Sequence, residues 1–325
     1  MKKPRIAIFG ILTTILLSAS ASPFAGTAFN YQGICDASAA VALDAKHFVV
    51  ADDERNTLMV FRRGKNDAVG SADVSGFLGT KPDKESDIEG AATIDSRTYW
   101  ISSHGRNSAA EKQKRRLRFF ATDVVTDSVG LKVITVGRPY SSLLDDLIAA
   151  PQLAAVNLAD AASRAPEEKD GLNIEGLAAT PDKKLLIGFR NPIPGQRALV
   201  VPLENPQEVT QGKAARFGTV MLLDLNNRGI RSIERVGTSY LIVAGPTDDS
   251  GPFALYRWSG DPAQAPTVLG GIDFTGIHPE AMFAIPNSHK IQFLSDDGRR
   301  LIGGVECKRV DRSKMIFRSV TIDLP

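Results

Sequence analysis

Three carboxylates recur in one short context. Asp87-Ile88-Glu89-Gly90, Asn173-Ile174-Glu175-Gly176 and His278-Pro279-Glu280-Ala281 each set a glutamate at the start of an apolar run. About ten to fifteen residues later a second apolar run ends in a polar cluster. These clusters are Ser102-Ser103-His104-Gly105-Arg106, Arg190-Asn191-Pro192, the loop with Asp248, and Ser295-Asp296. Carboxylates brought together can hold a cation or activate water, and arginine recognises carboxylate or phosphate through its planar fork. The candidate ligand-binding set is therefore Glu89, His104, Arg106, Glu175, Arg190, Asn191 and Glu280. Arg190 and Arg106 are expected to hold an anionic group beside Glu89 and Glu175. Each feature also has a plain structural alternative. Glycine after glutamate lets strands approach closely, glutamate can pair with a neighbouring arginine, and Arg-Asn-Pro is a fair turn. Other chemistry is set aside: there is no Gly-x-Ser-x-Gly elbow, phosphate-binding Gly-Lys loop, dinucleotide fingerprint or Cys-x-x-Cys pair. The histidines, at 47, 104, 278 and 289, lack metal-ligand spacing.

The elements that must position these residues form a repeat. Each unit has a polar start, a short apolar strand, a turn, a second apolar strand and a polar loop. Second strands are His47-Phe-Val-Val-Ala, Tyr99-Trp-Ile-Ser-Ser, Leu185-Leu-Ile-Gly-Phe, Tyr240-Leu-Ile-Val-Ala and Lys290-Ile-Gln-Phe-Leu. Further strand-like runs follow each pair, such as Leu58–Phe61 and Ala254–Trp258. Units of about 45 to 55 residues with about four short strands are the mark of propeller blades. The expected fold is an all-β propeller of five blades, with six as the alternative count, in one domain over 29–325. In such a ring the starts of first strands and the loops after second strands open on one face, so the polar residues should meet at one channel mouth. Residues 138–170 interrupt the pattern. Tyr140–Ala149 and Leu153–Ala162 read as two helices, hung over the same face as a small insertion.

The N-terminus reads as an export signal. Lys2, Lys3 and Arg5 precede the uncharged run Ile6–Leu17, and Ala19-Ser20-Ala21 has the small-residue spacing of a cleavage site. A signal peptide over 1–21 and a periplasmic or extracellular destination are expected, with no transmembrane segment after its removal. The chain has 39 basic and 37 acidic residues. That balance gives no field for nucleic acid, and a monomer is expected. The two cysteines, Cys35 and Cys307, stand near opposite ends of the mature chain. In an oxidising compartment they are expected to pair. The last alternating run, Ile316–Ile322, could lie beside Phe29-Asn-Tyr31 and close the ring.

Taken together, Asp-Ile-Glu-Gly at 87–90, Ser-His-Gly-Arg at 103–106, Leu-Leu-Asp-Asp-Leu at 143–147, Gly-Leu-Asn-Ile-Glu-Gly-Leu-Ala at 171–178, Gly-Phe-Arg-Asn-Pro at 188–192 and Pro-Glu-Ala-Met at 279–282 resemble the bacterial domain-of-unknown-function family 3616. That resemblance implies no established activity. More distantly, the Glu-Gly strand starts are similar to those of esterase-like-phytase propellers. This similarity implies ester or phosphoester hydrolysis, with Ca²⁺ as the possible cofactor. Two functions stay open: binding of a small anionic ligand at the mouth, or metal-assisted hydrolysis by the mouth carboxylates.

Overall fold

The second strand of each repeat is largely apolar with little alternation, and the reason is that both of its faces are covered. Leu241 and Val243 pack on one side with Met282 and Phe293, while Ile242 and Ala244 pack on the other with Leu186 and Val200. Successive side chains of a strand point to opposite faces, so one strand serves two interfaces. The computed structural model describes residues 26–324 apart from positions 53, 83, 129 and 249, and the expected signal peptide lies outside the described residues.

Five four-stranded antiparallel sheets form among the described residues. Their first strands are Ala37–Ala42, Ile88–Ile94, Asn173–Ala179, Gly229–Val236 and Pro279–Ala284. These five touch their neighbours in a closed cycle, first to second and onward to fifth and back to first. The sheets are therefore blades 1 to 5 of a ring, and the first strands line its axis. Five hydrophobic clusters fill the five gaps between blades. Blade number five replaces the alternative of six.

Both chain ends build blade 5. Its strands run Pro279–Ala284, Lys290–Ser295, Ile316–Asp323 and then Thr27–Gln32. The last two are antiparallel, with Phe29 opposite Ser319 and Tyr31 opposite Phe317. Tyr31, Phe48, Phe61, Phe283 and Phe317 make one aromatic cluster across the seam between blades 5 and 1, with the Tyr31 and Phe48 rings 5.0 Å apart. Cys35 and Cys307 are joined as a disulfide at the same seam.

Between blades 2 and 3 the chain forms a helix at Leu143–Ala149, a 3-10 turn at Pro151–Val156 and a short helix at Leu158–Ala161. Tyr140 belongs to the strand Leu131–Tyr140 rather than to a helix. The expected second helix is split because Asn157 takes a left-handed φ of 54°, which no right-handed helix continues. Leu143, Leu147, Leu153 and Leu158 are buried in the cluster between blades 2 and 3. These helices are part of the core, not a loose ornament. Among the described residues no helix is long and apolar enough to cross a membrane.

Candidate functional site

Every first strand carries a bulge at the same place. The pairing with the second strand shifts between Ala37 and Ala39, Ile88 and Gly90, Ile174 and Gly176, Ile230 and Ser232, and Pro279 and Ala281. A bulge leaves one residue unpaired and re-aims its side chain. The residues so freed are Ser38, Glu89, Glu175, Arg231 and Glu280, one from each blade. The small residue after the glutamate has a packing cause. A Cβ on Gly176 would lie 2.8 Å from Ile230 Cγ2 of the next blade, and one on Gly90 would lie 3.1 Å from Leu177 Cβ.

The mouth above this ring is a cavity of about 390 Å³. Ten carboxyl-bearing residues line it against five arginines and lysines. Most of the carboxylates are paired internally. Arg231, 5% exposed, sends Nε to Glu175 Oε2 at 2.8 Å and Nη2 to Glu280 Oε1. Arg190 Nη1 donates to Glu175 Oε1 at 3.1 Å, and its Nη2 donates to the Asp248 carbonyl at 2.7 Å. Arg116 spans Glu85 and Asp87 at 2.5 and 3.0 Å. Lys308 Nζ stands 3.2 Å from Glu54.

Three carboxyls of this wall that have no ion pair are pushed up strongly. Asp36, at the start of blade 1, hydrogen-bonds Asp296, which follows the second strand of blade 5. Burial, followed by the nearby Glu54 charge, pushes Asp36 up to about 7. Burial raises Asp296 well above the carboxylate range, with Glu280 and Asp36 adding to it. Glu89 is raised likewise by burial and then by the Asp87, Glu175 and Glu280 charges. No hydrogen bond or ion pair joins Glu89 to another described residue.

Of the seven expected binding residues, the structure brings Glu89, Glu175, Arg190 and Glu280 to the cavity wall. His104, Arg106 and Asn191 are not on it. Arg106 donates to the carbonyls of Ala162 and Ala110 at 2.7 and 2.9 Å. Asn191 Nδ2 donates to the carbonyls of Pro166 and Glu168. Both side chains fasten the helical insertion and its exit loop, of which Pro166 and Glu167 reach the mouth. His104 is buried, and its Nδ1 lies 2.7 Å from the Ser102 carbonyl, so Nδ1 carries the proton. Burial drops it to about 4, and it is a neutral core residue. The expected anion clamp is corrected accordingly: Arg106 is absent from the wall, and Arg190 is held by Glu175.

Arg231, Asp36 and the Asp36–Asp296 contact were missed. The repeat itself carried the signal for Arg231, because Ile230-Arg231-Ser232 aligns with Ile88-Glu89-Gly90. Among the described residues no three His, Cys, Asp or Glu side chains converge as a metal-binding group.

Five blades around an axis and a polar mouth define this chain as a five-bladed β-propeller. Residues 136–288 match the family described as "Protein of unknown function (DUF3616)", the family that the motifs resemble. Glu175, Arg190, Arg231 and Glu280 fall inside that stretch, whereas Asp36, Glu89 and Asp296 fall outside it. No curated protein matches the chain. Among solved structures it is similar to the glutaminyl cyclase of Myxococcus xanthus, at 13% identity and a TM-score of 0.46, over 94% of this chain and 100% of that one. It is also similar to the PQQ-bound aldose sugar dehydrogenase of Streptomyces coelicolor, at 11% and 0.42, over 93% and 100%. A GH43_1 enzyme from Xanthomonas citri matches at 12% and 0.47, over 93% and 92%.

Proposed function

We propose that the protein binds a small cationic ligand in the propeller mouth. One observation carries the reading: Glu89 and the Asp36–Asp296 pair line the cavity with no ion pair to a cation among the described residues, and the Arg231, Arg116 and Lys308 charges that act on them belong to side chains already paired with Glu175, Glu85 and Glu54. Carboxyls taken out of water and crowded together hold protons until a positive charge arrives. An ammonium group supplies that charge and three donors. An anion would enter against the surplus of carboxylates, so the reading reverses the sign expected from Arg106 and Arg190.

The test is thermal shift of the protein with n-butylamine, phosphate, citrate and Ca²⁺. A ligand that binds only the folded state raises the melting temperature. Butylamine should raise it for the wild type and much less for Glu89→Gln. Stabilisation by phosphate or citrate, with none by the amine, would reject the cation.

A second reading draws on the Asp36–Asp296 contact itself. A carboxyl pair that keeps a proton near neutral pH, in one cavity with Glu89, whose carboxyl is also pushed up by burial, is an acid–base set. In that case the ligand is a neutral or cationic ester, cleaved without a metal. Turnover of an ester panel that is lost in Asp36→Asn would favour it.

A further inference from the structure

A second cavity, of about 380 Å³, lies between blades 4 and 5 at the end of the ring opposite the mouth. Val236 and Ala284, which line it, close first strands, and Ser239 and Lys290 open second strands. Its floor is the edge of the hydrophobic cluster between these blades, where Leu241 and Ile291 meet Leu324. The charged or titratable residues on its wall are Arg257, His289 and Lys290, and no aspartate or glutamate lines it among the described residues. Strand register aims Arg257. It stands directly opposite Leu241 on the neighbouring strand, and opposite residues of an antiparallel pair share one face. Leu241 is buried in the cluster with Met282 and Phe293 of blade 5, so Arg257 projects to that face as well. Lys290 pairs with Asp323 at 3.6 Å. The half-buried Arg257 side chain donates no hydrogen bond and joins no ion pair among the described residues. Glu234, on the far side of Leu241, accepts from the Ala284 N–H at 3.4 Å instead.

We infer that this cavity binds a small aliphatic carboxylate, with its head on the Arg257 guanidinium and its tail on the floor of Leu241, Ile291 and Leu324. A guanidinium without a protein partner keeps its whole planar fork of donors, and that fork matches a carboxylate. The apolar floor beside it favours hydrocarbon over a second charge. No carboxylate on the wall opposes an anion, whereas a cation would meet Arg257 and Lys290. The charge of this cavity is thus opposite to that of the mouth, and the inference is independent of what the mouth binds.

Isothermal titration of the whole protein with acetate, hexanoate and 1-hexanol decides it. Hexanoate should bind at least about tenfold more tightly than acetate, since each buried methylene is worth up to about fourfold. It should also bind more tightly than 1-hexanol, which has the tail without the charge. Arg257→Gln should lower hexanoate affinity at least about tenfold. The same variant should leave 1-hexanol binding and the melting temperature unchanged, because Arg257 has no ion pair to lose. Ala284→Leu, which fills part of the cavity and keeps Arg257, should weaken hexanoate and 1-hexanol alike. Equal affinity for acetate and hexanoate would overturn the inference, as would binding of neither. Hexanoate that binds Arg257→Gln as tightly as the wild type would place the anion elsewhere and overturn it too.

Discussion

Arg231 Nε lies 2.8 Å from Glu175 Oε2, and this contact makes the fourth blade different from its neighbours. Arg231 occupies the bulge position that Glu89, Glu175 and Glu280 hold on blades 2, 3 and 5. An arginine in a ring of glutamates is an internal counter-ion on the axis. Burial works against its charged form, and the Glu175, Glu280 and Glu89 charges more than offset that and hold the guanidinium protonated. Removing one partner of a buried pair strands the others, at about 3–5 kcal/mol. Arg231→Ala should lower stability by that amount in urea unfolding. Adding Glu175→Gln to Arg231→Ala should recover part of the loss, because one stranded carboxylate is then neutral. A neutral Arg231→Ala would mean that the ring needs no cation.

The blades were legible because their signal repeats. Each second strand is a mostly apolar run, interrupted in blade 5 by the buried, hydrogen-bonded Gln292, and each first strand has a polar residue followed by a small one near its start. The ring closure followed from two alternating runs at the chain ends, and the Cys35–Cys307 bond from two cysteines beside them. The site was legible only as far as the repeat reaches. Glu89, Glu175 and Glu280 share a frame, so they could be placed together. His104, Arg106 and Asn191 sit in loops after second strands, where direction depends on a local φ and on what packs above. His104 takes a φ of 57°, and the insertion supplies the carbonyls that capture Arg106 and Asn191. The Asp36–Asp296 contact joins residues from opposite ends of the chain and has no local signature at all.

The mouth carboxyls should make the ligand-free protein less stable as pH rises. Asp36 sits at about 7 in the folded state against 3.8, Asp52 at about 6, and Glu234, buried elsewhere, at about 7 against 4.5. Groups raised in the folded state contribute stability that is full below their unfolded values and is lost as pH climbs through the folded ones. His104, lowered from 6.5 to about 4, acts oppositely, and only below about 6.5. Asp36 is faced by Asp296, Glu54, Asp52 and Lys308. The melting temperature of the ligand-free protein should therefore be higher at pH 6 than at pH 8. A bound amine should stabilise more at pH 8, and its binding should release protons, read as a buffer-dependent heat in calorimetry. Asp36→Asn should flatten both trends. Equal melting temperatures at the two pH values would argue that these carboxyls stay hydrated.

Arg106 and Asn191 hold the insertion, and they should act on ligand exchange rather than on ligand contact. Arg106→Ala frees the carbonyl of Ala162, and Asn191→Ala frees those of Pro166 and Glu168. Each loss leaves acceptors that can turn to water, at about 1 kcal/mol per hydrogen bond. Pro166 and Glu167 line the mouth, so loosening them should speed both association and dissociation of a bound amine. Stopped-flow measurement should show both rates up, with a smaller change in their ratio. Deleting 143–161 outright should unfold blades 2 and 3, since it removes the buried Leu143, Leu147, Leu153 and Leu158 from their shared cluster.

The disulfide should matter more to the site than to ring closure. Cys35 and Cys307 are 272 positions apart in the chain. Cross-linking a loop of that length restricts the unfolded state by about 5 kcal/mol in the chain-entropy account. Yet the ring has a second fastening: the strand pair of Thr27–Gln32 and Ile316–Asp323, and the aromatic cluster of Tyr31, Phe48 and Phe317. Cys35→Ser with Cys307→Ser should therefore still fold, with a lower midpoint in urea. The site fares worse because each cysteine is next to a mouth residue, Asp36 and Lys308. Asp297 N donates to the Cys35 carbonyl at 3.0 Å, and Lys308 N donates to the Gly298 carbonyl at 3.1 Å. A Cβ on Gly298 would lie 1.7 Å from Asp36 Oδ1, so the Asp36 carboxyl rests directly on that glycine. Losing the bond frees the segment around Cys307 and, through these contacts, the Asp36–Asp296 pair. Amine affinity in the double serine variant should drop by more than tenfold at a temperature where circular dichroism still shows the full β signal. Gly298→Ala keeps the disulfide but displaces Asp36, and it should lose affinity as well. Full affinity in the double serine variant would mean that the seam holds Asp36 in place without help from the cysteines.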